Sequence, residues 1–320
     1  MKLLVVRLSA DDVEKMKAAA PSVEIRVAQS DGAVAGEMAD AEIYLPGPRE
    51  PEHFANAKKL RWVHCMWAGM DHSPFLSALG QDVIVTNSAG VFAVPIAEHS
   101  LALITAFSRG IHFCLRRPKE EVWGGEEHWK RLEPHISDLE GATLGVIGHG
   151  GIGRAAAQRA KAFGMRILAL ARHPRQGDGI ADAVRGPEGL EDLLKESDYV
   201  LISCPLTEET QGLIGAHELS LMKPNAVIVN IARGGIIDEA ALISALQSRK
   251  IRGAGLDVTS QEPLPFDSPL WEMENVIITP HVGGSSPMTW RRQLDLFLEN
   301  LRRYAAARPL LNVVDREIGY

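Results

Sequence analysis

The run Thr143-Leu144-Gly145-Val146-Ile147 reads as a short buried strand, and Gly148-His149-Gly150-Gly151-Ile152-Gly153 follows at once. A helical pattern over Arg154 to Phe163 comes next, then a second apolar run from Met165 to Ala171. Strand, glycine turn, helix and strand in this order open a parallel α/β sheet. Gly148 permits the tight turn, Gly150 lets the backbone approach a pyrophosphate, and Gly153 lets helix and strand pack closely. Gly151 and Ile152 complete the turn. The helix that leaves it offers unpaired N–H groups and the positive end of its dipole to phosphates. A dinucleotide is therefore the expected ligand.

The rest of the chain fits around this junction. Its 320 residues exceed one ordinary core and suggest two domains. Lys2 to Arg7, Val23 to Ala28, Glu42 to Leu45, Leu60 to Met66 and Val83 to Thr86 read as strands separated by helical stretches. Ile96 to Leu115 reads as one long helix, apolar on more than one face and so expected between domains or subunits. A second alternating block runs from Thr143 to His281, and Pro287 to Ala307 reads as a final helix. The expected fold is α/β, with two Rossmann-like or flavodoxin-like domains built on parallel sheets. Residues 1–98 and 288–320 would form a discontinuous substrate domain, and 99–287 an inserted dinucleotide-binding domain.

Charge and composition exclude other classes. Lys and Arg total 34 against 41 Asp and Glu, a net charge of −7 that repels a polyanion, and no basic run offsets it. Nucleic acid is not an expected partner. No stretch reaches the length of a membrane span, and the apolar run after Met1 is too short for a signal peptide. Three cysteines without a C-x-x-C pair suggest a reducing, cytoplasmic setting and small buried thiols. No metal-ligand spacing is present, so no metal is expected.

The second strand of the glycine-loop block ends Leu170-Ala171-Arg172-His173-Pro174-Arg175. An Asp or Glu is expected there when the adenosine ribose belongs to NAD. Ala171 takes that place, and Arg172 can pair with a 2′-phosphate. NADP(H) is the expected preference, with NAD(H) possible.

Further along stand Asn230-Ile231-Ala232-Arg233-Gly234-Gly235, Gly255-Leu256-Asp257-Val258, Glu262-Pro263-Leu264 and Thr279-Pro280-His281-Val282-Gly283-Gly284. Polar residues at the carboxyl ends of apolar strands lie where open α/β sheets bind ligands. With the glycine loop, these motifs make the whole chain resemble the D-isomer-specific 2-hydroxyacid dehydrogenase family. The Arg172 departure looks like its glyoxylate/hydroxypyruvate reductase branch, and Trp67-Ala68-Gly69-Met70-Asp71-His72 resembles its substrate-carboxylate loop.

The resemblance implies an oxidoreductase acting on a small 2-oxo or 2-hydroxy acid, commonly a homodimer. Arg233 would hold the substrate carboxylate and polarise the carbonyl; His281 would be the acid/base; Glu262 would fix the His281 tautomer. Ala68, Gly69 and Met70 would offer backbone N–H groups to the substrate. Asp257 would hold the nicotinamide carboxamide, and Cys204, Pro205, Ile231, Ala232 and Gly283 would border the cofactor with Arg233 and His281. Corepressors that sense nucleotides keep the fold, the cofactor site and the Arg–Glu–His set, and formate- or phosphite-type dehydrogenases share the architecture; these are the alternatives.

Overall fold

The structure, a computed structural model, describes residues 1–45, 50–70, 73–118, 123, 125–174 and 179–316. The chain divides into two compact units, Met1–Phe92 with Ser286–Tyr320, and Ala93–Ser285.

The first unit is a parallel sheet of β1 (Lys2–Val6), β2 (Glu24–Ala28), β3 (Ile43–Tyr44), β4 (Trp62–His64) and β5 (Ile84–Thr86), in the order β2-β1-β3-β4-β5. That is the flavodoxin-like order. Ser9 starts the Ala10–Ala19 helix by accepting the Asp12 amide on its hydroxyl. The C-terminal helix, Thr289–Ala305, carries Leu294, Phe297, Leu298 and Leu301 at three- and four-residue spacing, one apolar stripe. This stripe packs with Leu3, Val5, Ile43 and Trp62. The Trp62 ring stacks on both Phe297 and Tyr304, with centroids 5.4 and 5.2 Å away.

Each unit also encloses a histidine. His64 is fully buried on β4, with Nδ1 2.8 Å from the Thr86 hydroxyl oxygen, which also accepts the Trp62 indole N–H. Burial lowers its pKa to about 3. In the second unit burial likewise lowers His112 to about 4, only partly opposed by its bond to the Ala106 carbonyl. Both rings stay neutral when folded and bind protons near pH 6.5 when unfolded. The unfolded chain therefore holds more protons below that pH. Stability is full above about pH 6.5 and falls by about 1.4 kcal/mol per pH unit per histidine on acidification. Urea midpoints at pH 7.5 and pH 5 test this, with an expected loss of about 2 kcal/mol per histidine. Equal midpoints would mean that the rings do not fold in neutral form.

The second unit is also wholly parallel. Its strands are β6 (Thr143–Ile147), β7 (Arg166–Leu170), β8 (Ala183–Arg185), β9 (Tyr199–Ile202), β10 (Val227–Asn230), β11 (Gly253–Leu256) and β12 (Val276–Ile278). They lie in the order β12-β11-β10-β9-β6-β7-β8, the Rossmann order with one strand added. Every residue of β6, β9, β10 and β11 is buried, as parallel strands covered on both faces require. The order reverses between β6 and β9, and all strands deliver their carboxyl ends to one edge.

One expected element is different. The apolar pattern from Ile96 to Leu115 is not one helix: it runs from Ala93 to Ser108, breaks at Gly110 with φ of 65°, and resumes over Ile111–Cys114. Its buried face, with Ala97, Leu101, Ile104 and Phe107, belongs to the core of the second unit itself. Strand β11 makes room for it. A Cβ on Gly253 would lie 2.6 Å from the Phe107 ring, and one on Gly255 would lie 3.3 Å from the Leu103 Cβ. The unit boundary consequently precedes this helix instead of cutting it after Glu98. Among the described residues no helix is long and apolar enough to cross a membrane.

Candidate active site

The glycine turn leaves β6 at the point where the strand order reverses. Gly148 has φ of +101°, and a Cβ there would lie 2.4 Å from the Cys204 amide nitrogen. On Gly153 a Cβ would lie 2.2 Å from the Gly148 carbonyl oxygen. The protein's own packing thus demands these two glycines. Gly150 and Gly151 are different, because a Cβ on either meets nothing within 4 Å. Their missing side chains leave bare backbone at the start of the Gly151–Ala162 helix, a cradle that a pyrophosphate fits. Ile152, on the first turn of that helix, is half-buried against the core.

The turn is tied to its neighbours. The Gly148 and His149 amides both donate to the Leu170 carbonyl at the end of β7, at 3.1 and 2.8 Å. From beyond β9 the Ser203 hydroxyl donates to the Gly148 carbonyl at 2.8 Å. Cys204 is buried, and burial pushes its thiol up to about 11, so it stays protonated at neutral pH. Its backbone walls the turn, and exposed Pro205 follows. Arg172, just past β7, donates from Nη2 to Glu209 Oε2 at 2.6 Å. Arg175 lies outside the described residues.

The loop after β10 is shaped by Asn230, which is almost fully buried. Its side-chain oxygen accepts the Ala232 amide at 3.1 Å, and its Nδ2 donates to the Arg233 carbonyl at 2.9 Å. Ile231 is buried beneath this loop, while Ala232 and Arg233 are half-buried. The next residue must be glycine, because a Cβ on Gly234 would fall 1.9 Å from the Thr259 carbonyl group. Arg233 directs Nη1 to the Ala232 carbonyl at 2.8 Å.

Asp257 follows β11 and is 3% exposed. Its Oδ1 accepts the Thr279 hydroxyl at 2.6 Å and the Val282 amide at 3.0 Å, and Oδ2 accepts the Gly283 amide at 2.9 Å. His99 contributes too, with Nε2 2.9 Å from the Thr279 hydroxyl and 3.4 Å from Asp257 Oδ1. Burial pushes the Asp257 carboxyl up, but the bonds from His99, Thr279, Gly283 and Val282 outweigh it and hold it at about 2. The carboxylate clamps the end of β11 to the loop that carries His281.

His281 sits in that loop at φ of 53°, a left-handed conformation rare for a residue with a Cβ. Its amide donates to the Asp257 carbonyl at 2.8 Å. Its Nδ1 lies 2.8 Å from Glu262 Oε2, and Glu262 Oε1 accepts the Thr259 amide at 3.2 Å. With one carboxylate oxygen anchored by the Thr259 amide and the other on Nδ1, the imidazole is held in one orientation. Both side chains remain partly open to solvent.

Arg233, Asp257, Glu262, His281 and Gly283 therefore converge on neighbouring strand ends of one unit. Ala68, Gly69 and Met70 belong to the other unit, in the loop after β4. There Asn87 donates to the Ala68 carbonyl at 2.7 Å, and Gln293 donates to the Met66 carbonyl. Met70 is 4% exposed, its side chain part of the core. Asp71 and His72 lie outside the described residues. His99 and Asn87 carry no motif of their own, whereas Asn230 and Thr279 open two of the motifs quoted above. Among the described residues no group of His, Cys, Asp or Glu could hold a metal.

Sheet order and the glycine cradle define a class, a protein with a Rossmann dinucleotide unit, here with an imidazole–carboxylate pair at its strand ends. The family model for the D-isomer specific 2-hydroxyacid dehydrogenase, NAD binding domain, matches residues 101–283. A glyoxylate reductase of Korarchaeum cryptofilum is 38% identical over 277 residues, covering 86% of this chain and 82% of that relative. A crystal structure of a D-isomer specific 2-hydroxyacid dehydrogenase from Xanthobacter autotrophicus, in complex with NADPH and MES, is 32% identical. It superposes with a TM-score of 0.81 and covers 99% of each chain. The NADPH-dependent glyoxylate/hydroxypyruvate reductase of Sinorhizobium meliloti, in complex with NADP and sulfate, is 26% identical with a TM-score of 0.82, covering 100% of this chain and 99% of that one. The chain belongs to the D-isomer specific 2-hydroxyacid dehydrogenase family, an NAD(P)-dependent oxidoreductase family.

Proposed function

We propose that this protein is a glyoxylate/hydroxypyruvate-type reductase that prefers NADPH. The observation that carries the chemistry is the 2.8 Å pair between His281 Nδ1 and Glu262. Likeness to the Korarchaeum glyoxylate reductase supports the substrate class, and Arg172 in place of a ribose-binding carboxylate supports the cofactor.

Gly148 to Gly153 and Arg172 would hold the pyrophosphate and 2′-phosphate, with Cys204, Pro205, Ile231, Ala232 and Gly283 beside them. When bound, the nicotinamide supplies the hydride that reduces C2 of the 2-oxo acid. As the carbonyl π bond breaks, its oxygen gains negative charge, and His281 Nε2 donates a proton to it. Glu262 keeps the resulting imidazole aligned. Arg233 pairs with the carboxylate and carbonyl oxygen of the substrate through its planar fork. Asp257 fixes the His281 loop and would accept the nicotinamide amide.

Initial rates with a panel of 2-oxo acids and both nicotinamide cofactors test the proposal. Turnover of glyoxylate and hydroxypyruvate with a higher kcat/KM for NADPH is expected; a marked NADH preference, or no 2-oxo acid turnover, overturns it. Arg233→Lys should lower kcat/KM by about 10- to 100-fold, because a point charge cannot reproduce a bidentate fork. An unchanged kcat/KM would remove Arg233 from the carboxylate site.

A homodimer accords with Leu115, Trp123 and Trp129, exposed by 81%, 91% and 53% within one short stretch. Sedimentation at two protein concentrations tests it.

A further inference from the structure

Glu209 stands on the turn after β9, 37 residues from Arg172 in sequence. The backbone of that turn is fixed. The Thr207 amide donates to Thr210 Oγ1 at 2.8 Å, the Thr210 hydroxyl donates to the Pro205 carbonyl at 2.7 Å, and the Gln211 amide donates to the Thr207 carbonyl at 2.9 Å. The Glu209 side chain itself is 72% exposed. Its origin is thus held at the cofactor edge while its carboxylate can rotate into solvent.

A carboxylate in this position treats the two nicotinamide cofactors differently. Facing a 2′-phosphate, it competes for the Arg172 guanidinium and repels the incoming dianion. Facing a 2′-hydroxyl, it does neither, because no second anion needs Arg172. We infer that Glu209 is a specificity-determining residue, a resident counter-ion that a 2′-phosphate must displace from Arg172 and that limits the preference for NADP(H). This rests on the reading that Arg172 takes the 2′-phosphate. Glu209 does not touch the reacting atoms, so its effect falls on binding and not on the chemical step.

An exposed ion pair contributes about one- to five-fold, and relief of repulsion adds a similar factor at moderate salt. The test is calorimetric titration of adenosine 2′,5′-bisphosphate and adenosine 5′-monophosphate into the wild type, Glu209→Gln, Arg172→Ala and the double variant. Glu209→Gln should bind the bisphosphate about three- to ten-fold tighter and the monophosphate within about two-fold of wild type. The gain should shrink in high salt and vanish in the Arg172→Ala background. Fluorescence titration with NADPH and NADH should show the same contrast. If Arg172→Ala loses the bisphosphate preference but Glu209→Gln binds it no tighter than wild type, the role of Glu209 is overturned and the Arg172 reading stands. If Arg172→Ala leaves bisphosphate affinity unchanged, the 2′-phosphate reading falls and the inference falls with it.

Discussion

His281→Asn is expected to lower kcat for 2-oxo acid reduction by about 10²- to 10⁴-fold, the usual worth of a positioned general acid. Cofactor affinity should change by less than about two-fold, because the loop does not depend on the ring. That loop is held by the Thr279 hydroxyl and the Val282 and Gly283 amides on Asp257, and by the His281 amide on the Asp257 carbonyl. Asparagine is the informative replacement. At φ of 53° most residues with a Cβ add strain, whereas Asn visits the left-handed region readily. An Asn side chain also keeps a hydrogen-bonding group toward Glu262 but cannot transfer a proton. Loss of turnover with intact cofactor binding therefore reports chemistry, not collapse. Unchanged kcat would remove His281 from the reaction.

Gly148→Ala is expected to destabilise the second unit by about 3–5 kcal/mol and to abolish dinucleotide binding. The new methyl would fall 2.4 Å from the Cys204 nitrogen and 2.7 Å from its Cα, both backbone atoms that cannot rotate aside. The φ of +101° adds strain for any L side chain. Gly150→Ala provides the contrast. Its methyl meets nothing in the protein, and φ of −86° suits alanine, so stability should stay within about 1 kcal/mol. It occupies the cradle instead, and cofactor affinity should fall by about ten-fold or more. Urea denaturation beside fluorescence titration separates the two. A Gly148→Ala protein as stable as wild type, or a Gly150→Ala protein with unaltered affinity, would contradict this division of roles.

The local parts of this architecture were readable in advance. A strand, a glycine turn and a helix are consecutive in sequence, so Gly148 to Gly153 announce their own setting. Arg233, Glu262 and His281 stand in short motifs at strand ends and are equally visible. What escaped sequence reasoning is built from distant pairs. His99 meets Thr279 across 180 residues, and neither has a pattern that requires the other. Asn230 opens a visible motif, but its bonds to the Ala232 amide and the Arg233 carbonyl become visible only in the fold. The Ile96 to Leu115 pattern concealed a break because apolar spacing continues through Gly110, and one glycine costs a helix only about 1 kcal/mol. Only the positive φ exposes that break. The Met70 side chain is core, which the sequence of its loop does not announce.

The order of strands in the second unit has a consequence for how the protein can change. Arg172 and Glu209 follow β7 and β9, whereas the Asp257 clamp, Glu262 and His281 follow β11 and β12, with β10 between the two groups. They share no hydrogen-bonding partner among those described above. Substitutions in the two groups should therefore act additively, within about 0.5 kcal/mol. On the proposed roles, cofactor preference can drift from one nicotinamide dinucleotide to the other without disturbing the His281–Glu262 pair, so the redox pool that drives the reaction and the reaction itself are separately adjustable.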